Sequence, residues 1–163
     1  MGKDVDFIQQ LSALSYDPFF VFDRDRRITH CNDVFAMALG LRVGQRHQIV
    51  GRSVRELLEL DATGESCISD CLRTDANVRV QSARARLPDG AELRLDISAL
   101  PLRNDAGEVV GVIVLLRDVT DEQRLKDRYD KERQEHIGER ETLLRIIRDR
   151  DEEIKRIKRL PQA

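Results

Sequence analysis

The chain has 163 residues, enough for one domain of ordinary size and an extension but not for two full cores. Its net charge of −2 gives no global electrostatic case for binding nucleic acid or an anionic membrane, and no apolar run approaches the roughly 20 residues of a membrane span. Three cysteines, an odd number, in a chain that opens without an export signal lead us to expect a cytoplasmic, reducing setting; Asp6 stands where a myristoylation signal needs Ser or Thr.

In chain order, Val5, Ile8, Leu11 and Leu14 recur at spacings of three and predict a short N-terminal amphipathic helix within residues 1–16, ended by Asp17-Pro18. Phe19-Phe20-Val21-Phe22 reads as a strand, Asp23 to Arg26 as a tight turn, and Arg27 to Cys31 as a second strand. Asn32 is a good N-cap for a helix over Asp33 to Leu39, closed by Gly40. Ser53-Val54-Arg55-Glu56 matches a capping box and predicts a helix over Leu57, Leu58 and Leu60. After a turn at Asp61 to Gly64, Ser66 to Leu72 predicts a short helix that carries Cys67, Ile68 and Cys71 on adjacent turns. Val78 to Leu87 and Ala91 to Leu102 flank the hairpin signal Pro88-Asp89-Gly90. The β-branched run from Val109 predicts a buried strand, and Thr120-Asp121-Glu122-Gln123 predicts a capping box that opens a long charged helix almost without a linker. Two strands, a run of short helices and three strands with short connections imply an α+β fold, a five-stranded antiparallel sheet with helices on one face.

The stretch from about Asp17 to Thr120 resembles a PAS domain. The matching signals are Asp23 to Asn32, Val50-Gly51-Arg52-Ser53, Pro88-Asp89-Gly90, the run Pro101 to Gly111, and Asp118-Val119-Thr120, in that order over roughly a hundred residues. The resemblance implies a five-stranded sheet, a cleft for a small molecule or cofactor beneath the helices, homodimers, and output through the helix after the Asp-x-Thr motif. It implies a bacterial signalling sensor, with residues 17–120 as the body and 121–160 as the output helix. Asp118, Thr120 and Gln123 form the expected signal junction.

In the last segment no Pro occurs between Asp121 and Leu160. Leu143, Ile147, Ile154 and Ile157 fit a heptad seam interrupted by Arg150, and the same seam runs back through Arg140, His136, Arg133 and Tyr129. That pattern predicts a parallel homodimeric coiled coil, firm from Leu143 to Ile157 and weak before it. Its bland counterpart is a single solvated helix carrying Glu–Arg/Lys pairs.

Candidate chemistry is thin. Cys67 and Cys71, four apart on a helix, face one way and could give two ligands to a metal or iron–sulfur cluster, with Cys31 as the one further thiol. The favoured reading makes them small buried residues that pack a short helix on the cleft. The segment Cys-Ile-Ser-Asp-Cys-Leu is similar to a Cys-x-x-x-Cys-x-Leu element of PAS sensors in some enhancer-binding transcription regulators. Neither cysteine sits in the Asn-Cys-Arg-Phe-Leu type motif of photoactive flavin-binding relatives. The segment after Leu60 offers no His for haem, since His30 and His47 lie elsewhere. His136 lacks the surroundings of a histidine-kinase phosphoacceptor, and no phosphate loop or catalytic triad is visible. The sequence therefore predicts no enzyme but a sensor that passes a cleft signal (ligand, redox or metal state) to an effector. The alternative is a constitutive scaffold that assembles partner proteins through the same two parts.

Overall fold

The computed structural model describes Ile8 and residues 15–158, with side chains to residue 156. The predicted N-terminal helix over residues 1–16 lies outside the described residues, save Ile8, Ser15 and Tyr16. The chain divides into two compact units, Met1–Thr120 and Asp121–Ala163.

In the first unit the strands are β1 (Phe19–Asp23), β2 (Ile28–Cys31), β3 (Glu59–Leu60), β4 (Val78–Arg86), β5 (Glu92–Arg103) and β6 (Val109–Asp118). They form one antiparallel sheet in the order β2-β1-β6-β5-β4-β3. The helices are α1 (Asp33–Ala38), α2 (Val54–Leu57) and α3 (Ala62–Thr74), with a 3-10 turn at Arg46–Gln48. The α+β prediction holds, with six strands where five were expected.

The sixth strand explains a second difference. Ser53 makes no side-chain cap bond, α2 ends at Leu57, and Leu58 is extended with φ −147°. Leu57, Leu58 and Leu60 are all buried, and on one helix they would spread over about 160° of its surface, wider than the usual apolar stripe. The chain instead straightens and pairs Glu59 with Arg86 and Leu60 with Ala85. The next helix starts earlier than predicted, at Ala62. Asp61 caps it by accepting the Gly64 N–H at 3.0 Å through Oδ1, and its Oδ2 accepts the Arg84 N–H at 3.0 Å.

The core lies between the sheet and the helices. Phe20, Phe22, Ile28, Leu95, Ile97, Val112 and Val114 supply its floor, and Phe35, Ile49, Leu58 and Ile68 its cover. The rings of Phe20 and Phe35 meet at 4.8 Å between centroids. On the opposite face, Phe19, Val21 and Ile113 are buried with Ile8 in a smaller cluster. Burial on both faces is why β1 and β6 read as unbroken apolar runs, whereas β5 alternates.

Asn32 is the one buried polar residue among the described residues, and both ends of its side-chain amide are used. Its Oδ1 accepts the N–H of Phe35, as the cap prediction requires, and also the N–H of Phe19; its Nδ2 donates to the Asp17 carbonyl. One amide thus fixes the start of α1 to the start of β1. Asn32→Ala is expected to lower stability by about 2–4 kcal/mol, the loss of a cap plus backbone groups left unpaired in the interior. Urea unfolding measures it, and a loss below about 1 kcal/mol contradicts the account.

The second unit is helix α4, whose run begins at the junction residue (Thr120–Lys158). Leu143, Ile147 and Ile154 are each about half exposed on it, as are Leu144 and Ile146 beside them. The side chain of Ile157 lies outside the described residues. No helix among the described residues is long and apolar enough to cross a membrane.

Candidate functional site

Helix α3 presents its buried face, Gly64, Cys67, Ile68 and Cys71, to the sheet. At Gly64 the approach is close: an added Cβ would lie 3.1 Å from Leu60 Cβ and 3.2 Å from Ile97 Cδ1. Cys67 Sγ sits 3.7 Å from the Val78 carbonyl oxygen and 3.9 Å from that of Ile97, so it touches both β4 and β5. All three cysteines are free thiols within the same core. Burial pushes the Cys31 and Cys71 thiols up to about 11, the first despite the lowering charge of Arg46, and burial raises Cys67 too. Thiolate, the form that ligates metals and reacts with oxidants, is thus disfavoured at all three. Among the described residues no three His, Cys, Asp or Glu side chains gather closely enough to hold a metal ion. Cys31, on β2, is therefore not brought into a ligand set with Cys67 and Cys71.

Over the outer side of α3 lies a cluster with no local sequence signal. Arg26, held at φ +59° in the β1–β2 turn, donates to Glu65 Oε2 at 2.8 Å and to Ser69 Oγ at 2.6 Å. Arg55 on α2 reaches the same Glu65 oxygen at 3.2 Å. Burial alone would raise the Glu65 carboxyl, but the bonds and charges of Arg55 and Arg26 more than offset it and hold it below the usual range. The cluster clasps α3 to the β1–β2 turn and α2. A lowered folded pKa means stability that is present above the unfolded value of about 4.3 and is lost as pH falls through the folded value. Glu65→Gln is accordingly expected to be less stable than wild type at pH 7, with the deficit shrinking as pH falls below about 4.3; an equal deficit at pH 7 and pH 3 contradicts this.

The junction differs in detail from the predicted capping box. The Thr120 hydroxyl accepts the N–H of Arg94, on β5, at 2.9 Å and donates to Asp118 Oδ1. Asp118 Oδ1 also accepts the Thr120 N–H at 2.9 Å, a side-chain turn that leads into the helix. The Val119 N–H donates to the Arg94 carbonyl at 2.8 Å, and Val119 is buried. Both backbone groups of Arg94 therefore hold Val119 and Thr120, the last residue before α4 and its first. The Arg94 guanidinium in turn donates to the Ser82 carbonyl, and Asp96 accepts the Ser82 N–H, at the bulge where the β4–β5 register shifts. The third predicted junction residue, Gln123, donates along its helix to Asp127 at 2.9 Å.

A fold with these strands and helices has relatives. A family model described as PAS fold matches residues 13–124, and the chain belongs to that family. Its backbone is similar to a light-oxygen-voltage domain studied with a flavin analogue (TM-score 0.61, 17% identity, 82% of this chain and 99% of that one). It is similar also to the PAS domain of the fruit-fly ELK potassium channel (TM-score 0.59, 18% identity, 71% and 97%). A third is the PAS domain of nitrogen regulation protein NR(II) from Vibrio parahaemolyticus (TM-score 0.56, 15% identity, 68% and 96%). No curated protein matches the chain. PAS domains are sensory and signalling modules, and this chain carries one.

Proposed function

We propose that this chain is a non-catalytic sensor of a cytoplasmic, bacterial type. Residues 17–120 are its sensory body, residues 1–16 an N-terminal helix, and residues 121–160 a homodimeric coiled coil that addresses an effector protein. A signal in the core beneath α3 shifts β5, and Asp118 and Thr120 carry that shift into the start of α4. The single observation that carries this reading is the pinning of Val119 and Thr120 to both backbone groups of Arg94. Arg94 lies three residues along β5 from Ile97, whose carbonyl touches Cys67. A displacement of α3 therefore meets the junction through one strand.

The enclosed, protonated thiols favour a small apolar ligand or a partner over thiol redox or metal binding as the signal. Whatever its chemistry, the signal acts only through unequal affinity for two arrangements of the body. A core substitution can stand in for it. Ile97→Val, a loss of one buried methylene worth roughly 0.5–1.5 kcal/mol, is expected to change the dimer dissociation constant at least threefold in sedimentation equilibrium. An unchanged constant supports the constitutive scaffold instead.

A further inference from the structure

Resting on the dimeric reading of α4, we infer that its seam arginines are neutralised across the interface by the partner copy, which fixes two helices parallel and in register. On the seam through Leu143 and Ile147, Arg133 and Arg140 occupy the same heptad position as Ile147, and Arg150 that of Leu143. In a parallel pair the knob at the first position enters a hole bordered by the partner residue one before its own equivalent. The knob at the second enters a hole bordered by the partner residue one after.

That geometry sets Arg133 beside the partner copy's Glu132, Arg140 beside its Glu139, and Arg150 beside its Asp151. The same rule sets Leu143 beside the second copy's Leu144, and Ile147 beside its Ile146. Each cationic layer is thus edged by an anion and each of these apolar layers by an apolar side chain. It also accounts for Leu144 and Ile146, apolar and half exposed at positions a two-helix seam ordinarily leaves to charged residues.

Nothing among the described residues competes for these charges. Arg133, Arg140, Arg150, Glu132 and Asp151 form no ion pair there, and Glu139 meets only His136, at 3.7 Å. An arginine at such a site lays its stem along the seam and turns its guanidinium outward to a carboxylate. A slip of one heptad would set Leu143 against Arg150, so the in-register pair is the one that keeps like layers together.

Sedimentation equilibrium of the full chain tests the pairing with two variants. A reversed form carries Arg133→Glu and Arg140→Glu; an exchanged form adds Glu132→Arg and Glu139→Arg. Reversal is expected to raise the dissociation constant at least tenfold, and exchange to return it to within threefold of wild type. A reversed form as tight as wild type, or an exchanged form as weak as the reversed one, overturns the pairing. A monomeric wild type overturns the dimeric reading itself. Orientation has its own readout: Ile147→Cys is expected to link two copies under mild oxidation, and a dimer that stays unlinked overturns the parallel register.

Discussion

Replacing Gly111 with alanine is expected to destabilise the body by about 3 kcal/mol or more, the upper range of single substitutions. Gly111 stands in β6 opposite Asp23 of β1 and Leu102 of β5, with strands on both sides. A Cβ there would lie 2.3 Å from the Phe22 carbonyl oxygen, a backbone atom that no rotamer change can move. The clash is relieved only by parting β1 from β6. That opens the pairing of Phe20 with Val114 and Phe22 with Val112, side chains at the centre of the core. Urea unfolding followed by circular dichroism measures the loss, and a change under about 1 kcal/mol contradicts the packing. Gly138 is the control. It sits in α4, where an added Cβ would meet nothing within 4 Å, so alanine there is expected to favour the helix by roughly 1 kcal/mol.

The joint variant Ile147→Asp with Ile154→Asp is expected to weaken dimerisation at least a hundredfold while the body keeps its unfolding midpoint. In a paired seam each aspartate would face its own copy across an apolar layer, unpaired and stripped of water. The helix should lose far-ultraviolet ellipticity too, because a long polar helix without a partner holds only marginally. Its ion pairs, such as Lys131 with Glu135 at 4.0 Å, are exposed and contribute a few tenths of a kcal/mol each. A variant that remains dimeric with full helicity contradicts the seam.

What could be read from the sequence divides along physical lines. Local signals were legible: the Asn32 cap, the hairpin at Pro88-Asp89-Gly90, the apolar run of β6 and the family pattern ending in Asp118-Val119-Thr120. Each depends on neighbours within a few residues. Strand β3 left no trace because a two-residue strand has no period, and Leu60, like Leu57 and Leu58 before it, is a helix former overruled by burial. The early start of α3 was hidden by Gly64, which reads as a turn residue but lies inside the helix, where an added Cβ would crowd Leu60 and Ile97. The clasp of Arg26, Glu65 and Arg55 joins residues 39 and 10 positions apart, and no spacing rule reaches that far.

The candidate site shows the same division. That Cys67 and Cys71 share one helix face followed from their spacing; that both are enclosed and protonated needed the sheet. Thr120 was recognisable as a junction residue, but its hydroxyl serves a strand 26 positions earlier, not the helix it begins.

The proposed relay runs through that hydroxyl, and a double-mutant cycle measures the coupling. Dimer dissociation constants are compared for wild type, Ile97→Val, Thr120→Val and the double variant by sedimentation equilibrium. The prediction is that Ile97→Val changes the constant at least threefold when Thr120 is intact and less than 1.5-fold when Thr120 is replaced. An equal effect of Ile97→Val in both backgrounds would contradict the relay.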